Sequence, residues 1–374
     1  MSNYILFGGT FDPVHNGHVR IAMAASLKLN ADVVFVPARS PRWKTPLTLA
    51  KHREKMLKLA LKSSASGTTI CDYELKSKDD INYSIDTVRY FKNKHPNDKL
   101  YFVIGADQVN RFSEWKNAEE LAKLATVVFV SRPHYELDKE VIETYHMQDL
   151  SFLESGDVSS TMVRNLQSID IPIDVLLYIE KERLYFVGKL AKFIPENRLN
   201  HSIEVANLSL RIAKANKLAN PEKYFFAGLL HDLGKTYAND SENMTEFMNK
   251  HYREYLNLPR FAYHQFVGEY LAKEEFGIID HDILDAIKFH CTGKANMSDV
   301  AMVVYASDKI EPTRGFDSSF LINSCLKNYK QGFIDTLIDN KKYLLAHNKD
   351  IENKLTDECF EMYLPKQGEK YEKR

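Results

Sequence analysis

The sequence predicts two domains in series, an α/β domain on a parallel sheet with helices on both faces and then an all-α domain. Three observations carry this. At 374 residues the chain exceeds the size at which one hydrophobic core keeps growing. Up to about Tyr185, short apolar runs alternate with amphipathic stretches, the mark of βαβ units. Beyond that point apolar residues recur at helical spacing and no strand pattern returns.

Taken in order, the predicted strands are Tyr4–Phe7, Val33–Val36, Thr69–Tyr73, Tyr101–Ile104, Val127–Val130 and Leu150–Leu153. Helical patterns at His18–Leu29, Ala50–Lys62 and Ser84–Lys94 lie between them, and a helix around Ile173–Glu182 ends the series. In the second half, Ile203, Val205, Ala206, Leu208, Leu210 and Ile212 trace one long helix. Turn signals are confined to short breaks such as Asn220-Pro221, Leu258-Pro259, Gly277, Gly293 and Glu311-Pro312. The boundary falls between Tyr185 and Arg198, giving domains 1–186 and 187–374.

Composition narrows the partners. Fifty basic residues against fifty-one acidic ones leave a net charge of −1, which gives no reason to expect a nucleic-acid partner. No apolar run approaches the roughly eighteen residues that span a bilayer, so no membrane partner is expected. The first residues, M-S-N-Y-I-L-F-G-G, do not read as a signal peptide, and the four cysteines are scattered with no C-x-x-C pair. Both features suit a cytoplasmic protein with reduced thiols; a homo-oligomer stays open.

Residues Gly8 to His18, G-G-T-F-D-P-V-H-N-G-H, follow a strand and open a helix. Gly8 and Gly9 permit positive φ and close approach of a ligand to the backbone. His15 and His18 sit at the helix start, where free N–H groups and the macrodipole favour a polyphosphate, and at this spacing both imidazoles can face one phosphate. The bland alternative is a glycine turn with two incidental histidines. Later, Val158-Ser159-Ser160-Thr161-Met162-Val163-Arg164 places hydroxyls at a helix start and an arginine one turn in, which suits phosphates or merely caps a surface helix.

The first string resembles the T/S-F-D-P-x-H-x-G-H signature of the nucleotidylyltransferase superfamily, and the second resembles the I-S-S-T-x-x-R element of nicotinate mononucleotide adenylyltransferases. The resemblance spans residues 3–185 and implies a Rossmann-like fold. It also implies ATP binding by Gly8, Gly9, Thr10, Phe11, His15, His18, Ser159, Ser160, Thr161 and Arg164, with Mg2+ accompanying ATP. His15 and His18 would stabilise charge on the α-phosphate during in-line displacement of pyrophosphate, without a covalent enzyme intermediate. Three further stretches point to the same branch. Ile104-Gly105-Ala106-Asp107 with Trp115 resembles its G-x-D…W segment, Asn82-Tyr83-Ser84-Ile85-Asp86-Thr87 its S-Y-T-x-x-T stretch, and Val36–Lys44 its P-x-x-x-P-x-H-K loop. By that resemblance Lys44, Tyr83, Ser84, Asp107 and Trp115 would bind nicotinate mononucleotide. Trp43 stands in place of a family histidine, and Asn82 and Ser84 in place of Ser and Thr. Pantetheine-phosphate adenylyltransferases and cytidylyltransferases share the first motif but generally lack the G-x-D…W and S-S-T-x-x-R pair, and they form the alternative reading.

The helical half holds His201, His231-Asp232, His264, His290 and Asp308 within helical patterns. One such histidine would be a core residue, but six imidazole and carboxylate groups spread over one bundle need a common partner, because unpaired buried ionisable groups are costly. The order His…His-Asp…Asp is that of the HD hydrolase superfamily. By that resemblance His201, His231, Asp232 and Asp308 bind one metal, and His264 and His290 make room for a second bridged by Asp232. Ligands without thiolate favour iron, with manganese as the alternative, and such ions activate water.

His231-Asp232-Leu233-Gly234-Lys235, His290-Cys291-Thr292-Gly293 and Ser307-Asp308-Lys309-Ile310-Glu311-Pro312-Thr313-Arg314 resemble the bacterial HD family that cleaves diadenosine tetraphosphate symmetrically, over about residues 190–350. The resemblance makes Asp232 and Lys235 catalytic and offers Lys235, Thr292, Lys309 and Arg314 to the substrate phosphates. Cys291 and Ser307 depart from the family pattern beside the ligands, not at them. Together the two halves are expected to join ATP to nicotinate mononucleotide and to hydrolyse diadenosine tetraphosphate to two ADP. The alternative for the second half is another HD nucleotidase or a nucleotide-sensing HD domain.

Overall fold

The computed structural model describes residues 2–41, 45–62, 67–77, 81–130, 136–150, 158–237, 241–347 and 353–364. The chain divides into one unit of Met1–Arg164 with Asp170–Leu184 and another of Asn165–Ile169 with Tyr185–Arg374. Tyr185 and Phe186 thus join the helical unit, two residues before the sequence-based boundary, and 165–169 join it as well. Phe186 does so because its ring is buried edge-on against Phe226, with centroids 5.2 Å apart.

The first unit is built on β1 (Asn3–Gly9), β2 (Asp32–Pro37), β3 (Thr68–Ile70), β4 (Lys99–Gly105), β5 (Thr126–Val130) and β6 (Gln148–Asp149). All pair in parallel in the order β3-β2-β1-β4-β5-β6. The apolar runs are continuous because both faces are covered. On one face Leu6, Val34, Val36, Phe102, Ile104 and Phe129 pack against Ile85, Val88 and Phe91 of the Ser84–Lys94 helix. The residues between them, Ile5, Phe7, Val33, Phe35 and Val103, are buried on the other face, and the Asn16–Leu29 helix contacts β1 and β2.

Two predicted strands are corrected. The third stops at Ile70, because Asp72 leaves extended geometry (φ −91°, ψ 13°) and a short helix, Tyr73–Lys76, begins. The sixth lies at Gln148–Asp149, with Leu150 still donating its N–H to Phe129 O at 2.8 Å; residues 151–153 fall outside the described residues.

Reversal of strand order beside β1 makes the β1/β4 boundary a topological switch point, where a crevice opens beyond the carboxyl ends of the strands. Gly8 and Gly9 close β1 there, and Ile104 and Gly105 close β4.

The second unit contains only helices among its described residues. A close crossing joins Glu196–Ala215 to Pro221–Leu230 at Gly228, where an added Cβ would stand 2.9 Å from Ala206 Cα. Only a residue without a side chain permits that approach, and it brings the His201 and His231 rings to 5.2 Å. No helix among the described residues is long and apolar enough to cross a membrane.

Candidate active sites

In the first unit the Gly8–His18 segment runs from β1 into the Asn16–Leu29 helix. The positive φ expected of Gly8 and Gly9 falls instead on Phe11 (φ 50°). Gly9 is needed for space, since a Cβ there would meet the Phe11 ring at 2.8 Å. Phe11 is buried against Phe7, Phe35 and His18, so its side chain supports the loop from beneath rather than facing a ligand. The His15 and His18 rings lie 3.7 Å apart. His18 Nδ1 accepts the His15 backbone N–H at 3.3 Å, so in the neutral ring the proton sits on Nε2.

The second motif docks on the first across about 150 residues of chain. Ser160 Oγ donates to Pro13 O at 2.8 Å, and Arg164 donates to Asp12 O and, at 2.8 Å, to Thr161 Oγ1. Ser159 Oγ caps the short helix by accepting Met162 N–H at 3.2 Å.

Two supports went unread in the sequence. The Asp12 carboxylate, 2% exposed, accepts Leu47 N–H and the Thr48 hydroxyl, each at 2.6 Å. Arg53 is buried and donates to the carbonyls of Thr10 (2.9 Å), Ala38, Arg39 and Thr48. A signal existed for Arg53, because it opens the buried stripe Arg53, Met56, Leu57, Ala60 of its helix, where an arginine must find partners.

At the switch point lies a cavity of about 320 Å³. Gly8, Gly9 and Thr10 line it together with Tyr83, Ser84, Asp107 and Trp115, so four of the five residues expected at the pyridine nucleotide converge there. The fifth, Lys44, lies outside the described residues. Glu74 and Lys116 also line the cavity and had not been singled out. Burial pushes the Glu74 carboxyl pKa up, partly offset by the Thr87 hydroxyl that donates to it at 2.6 Å.

In the helical unit the six expected ligands converge. His231 and His290 cap the C-termini of Pro221–Leu230 and His281–Phe289, His264 opens Tyr263–Glu274, and Asp308 lies in the last turn of Asp299–Ile310. Three imidazoles are oriented alike: Nδ1 donates to the carbonyl three residues earlier, His231 to Gly228 (2.7 Å), His264 to Phe261 (2.6 Å) and His290 to Ile287 (2.8 Å). Each Nε2 then carries a lone pair, and all three point inward. Asp232 Oδ1 stands 3.4 Å from His264 Nε2 and 3.5 Å from His290 Nε2, and Oδ2 stands 3.9 Å from His231 Nε2. Asp308 Oδ1 lies 3.5 Å from His231 Nε2 and 3.2 Å from His201 Nε2. His201 is held differently, with Nδ1 against the buried Glu311 carboxylate at 3.1 Å.

This donor set fits a metal. The Nε2 atoms of His264 and His290 face each other at 3.0 Å, and with both Nδ1 atoms protonated neither neutral ring has a proton to offer. Burial keeps both pKa values down, helped at His264 by His290 and Lys235. His231 Nε2 is buried with no hydrogen-bond partner among the described residues. Burial opposes charge on Asp232 and Asp308 too, yet both stay well below the usual carboxylate range: His231 and His290 stabilise the first, Lys309 and His201 the second. Burial likewise disfavours charge on His231, but Asp232 and Asp308 outweigh it and raise its pKa.

Basic residues ring the cluster. Lys235 Nζ lies 3.5 Å from His264 Nε2, Lys309 Nζ 2.6 Å from Asp308 Oδ2, and Arg314 pairs with Asp308 Oδ1. Arg198, not anticipated, reaches Asp232 Oδ2 at 3.1 Å. Thr292 is corrected: its buried hydroxyl is occupied by Gln265 Nε2 (3.2 Å) and Gly293 O (2.9 Å), so it fixes the turn after His290 instead of facing substrate.

Comparison with known proteins agrees with the two-domain reading. The family described as cytidylyltransferase-like matches residues 6–166, and the HD domain matches residues 198–313. A Mycoplasma genitalium protein named "Probable nicotinate-nucleotide adenylyltransferase/Ap4A hydrolase" is 33% identical over 345 residues, 89% of this chain and 96% of its own. The chain belongs to this two-activity family. A Mycoplasma pneumoniae relative of the same name is 30% identical over 92% of this chain and all of its own. A Clostridium novyi protein named "Probable nicotinate-nucleotide adenylyltransferase" is 38% identical, covering 43% of this chain and 84% of its own. Membership gives the helical half of this family member a divalent metal, consistent with its buried His/Asp cluster.

Proposed function

We propose that the first unit joins ATP to nicotinate mononucleotide, releasing pyrophosphate and forming deamido-NAD, and that the second hydrolyses diadenosine tetraphosphate to two ADP. For the transfer, the carrying observation is the switch-point cavity, which Gly8, Gly9 and Thr10 line together with Tyr83, Ser84, Asp107 and Trp115. Backbone groups of the loop and the start of the Asn16–Leu29 helix hold the phosphates. His18 presents Nε2–H to the α-phosphate oxygen where charge grows as the nucleotide phosphate attacks, with His15 stacked behind it. Arg164, fixed to the loop through Asp12 O, supports the departing pyrophosphate, whose charge Mg2+ accompanying the triphosphate would shield.

For the hydrolysis, the carrying observation is the convergence of three imidazole Nε2 atoms and the two oxygens of Asp232. His201, His231, Asp232 and Asp308 would hold one ion, and His264, His290 and Asp232 a second; the thiolate-free donor set favours iron or manganese. Bound ions there supply an activated water and neutralise phosphate charge. Lys235 and Arg314 orient the polyphosphate, and Lys309 and Glu311 keep Asp308 and His201 in place. The four free cysteines suit action in a reducing cytosol.

The test is direct. Purified protein is incubated with ATP plus nicotinate mononucleotide, and separately with diadenosine tetraphosphate, each with and without chelator, and products are identified by mass. Deamido-NAD in the first and chelator-sensitive ADP in the second are expected. Absence of either product sinks the corresponding half of the reading.

A further inference from the structure

Two of the six clustered ligands, His264 and His290, are tied together by side chains that the proposed hydrolysis does not by itself use. His290 ends the His281–Phe289 helix, and the turn after it takes partners from Gln265, the residue next to His264. Gln265 is fully buried. Its Oε1 accepts the N–H groups of Cys291 at 3.2 Å and Thr292 at 3.4 Å, and its Nε2 donates to the Thr292 hydroxyl at 3.2 Å. One amide thus joins the helix of His264 to the turn of His290, and the Nε2 atoms of these two ligands face each other at 3.0 Å.

A second brace comes from the Lys354–Tyr363 helix, which carries none of the six ligands. Buried Thr356, in its first turn, donates its hydroxyl to Thr292 O at 3.0 Å. The helix is seated by buried Cys359, whose Sγ would stand 2.7 Å from a Cβ added at Gly293, and by Tyr363 Oη, which accepts Met297 N–H at 2.8 Å. Gln265 and Thr356 therefore hold Thr292 by its N–H, hydroxyl and carbonyl. His231 is braced differently. The turn after it packs backbone on backbone, since a Cβ at Gly234 would stand 2.5 Å from Gly268 N, and Lys235 N–H closes it on Asp232 O at 2.9 Å. His201 leans on Glu311. Removing the Gln265 amide leaves buried N–H groups without an acceptor, so the turn must shift to satisfy them, and His290 shifts with it.

We propose that Gln265 and Thr356 are positioning residues for one metal ion of the pair, the one assigned to Asp232, His264 and His290, and that they set its affinity without touching it. The inference rests on the two-ion reading of the hydrolase site and adds to it what controls occupancy of the second position. Groups that orient the ligands of a metal are worth roughly 10- to 100-fold in its affinity. Gln265, with three hydrogen bonds to the turn, belongs toward the upper end, and Thr356, with one, at the lower.

The test titrates the metal-free full-length protein with Mn2+ by calorimetry and follows the same samples by electron paramagnetic resonance, in which two neighbouring Mn2+ ions couple and a single one does not. Wild type should take up two ions per chain. In Gln265→Leu the second ion should bind about 50-fold more weakly while the first stays within about threefold. Thr356→Val should weaken the second ion about tenfold, and Thr356→Ser, which keeps the hydroxyl, should stay within about twofold of wild type. Diadenosine tetraphosphate hydrolysis should need more Mn2+ by the same factors, with its rate at saturating Mn2+ kept within about threefold. Circular dichroism and melting of the metal-free protein report folding, and if Gln265→Leu does not fold, the two Thr356 variants decide. Equal weakening of both ions would make these residues general packing and overturn the proposal. An unchanged second affinity in folded Gln265→Leu would overturn it too, as would Thr356→Ser binding as weakly as Thr356→Val. A wild type that takes up only one ion defeats the two-ion reading itself, and this inference with it.

Discussion

Replacing Asp232 with Asn tests the metal centre while keeping the shape of the side chain. The carboxylate is buried, and its oxygens stand 3.4, 3.5 and 3.9 Å from the Nε2 atoms of His264, His290 and His231. A cation among these atoms loses a full negative charge about 4 Å away, which at an effective dielectric near 20 is about 4 kcal/mol. Relaxation and solvent reduce this to about 3 kcal/mol, or roughly a hundredfold to thousandfold in metal affinity. The apo fold should survive, because the new amide can donate to the His264 or His290 lone pair that now lacks a proton to meet. Elemental analysis after gel filtration should show loss of at least one ion per chain. Diadenosine tetraphosphate hydrolysis, followed by ADP release, should fall by about a thousandfold or more. Adenylyl transfer serves as the internal control and should not change. Full metal content with turnover within tenfold of wild type would refute the bridging role.

Two further substitutions probe the first unit. His18→Ala should cut adenylyl transfer at least about a hundredfold while ATP binding, measured by calorimetry, and the hydrolase activity are kept, because the lost hydrogen bond belongs to the transition state; near-normal transfer would show that His18 is only half of a helix cap. Glu74→Gln tests the raised carboxyl pKa. Between the ordinary value of 4.5 and the raised one the native state binds more protons than the unfolded chain, so wild-type stability falls as pH rises through that window. The variant, still accepting from Thr87, should therefore melt higher than wild type at pH 7–8 by a few degrees, on the order of 1 kcal/mol, with the gap closing toward pH 4.5. A gap independent of pH would show that charge is not the cause.

The fold was largely legible because its elements are locally consistent. Continuous apolar runs such as Val33–Val36 could belong only to a strand covered on both faces, and Ser84–Lys94 declared itself through a helical apolar stripe. The misplaced third strand shows the limit: Cys71 and Tyr73 suit a strand as residues, but the bend at Asp72 depends on how the chain leaves the sheet edge.

Residue chemistry by itself determined which groups matter in the helical unit, because imidazoles and carboxylates in apolar surroundings require partners. It could not determine their arrangement. Only the packed structure sets each Nδ1 on the carbonyl three residues back and so turns the lone pairs of His231, His264 and His290 inward. Likewise the sequence supplied Gly8–His18 and Ser159–Arg164 as separate strings, but their junction through Pro13 and Asp12 carbonyls spans about 150 residues. Arg198, Glu311, Arg53 and Lys116 escaped for the same reason. A charged side chain reads as solvated surface until the fold shows what faces it, since the energy of a charge depends on its distance from other charges and from water, and neither distance is written in the order of residues.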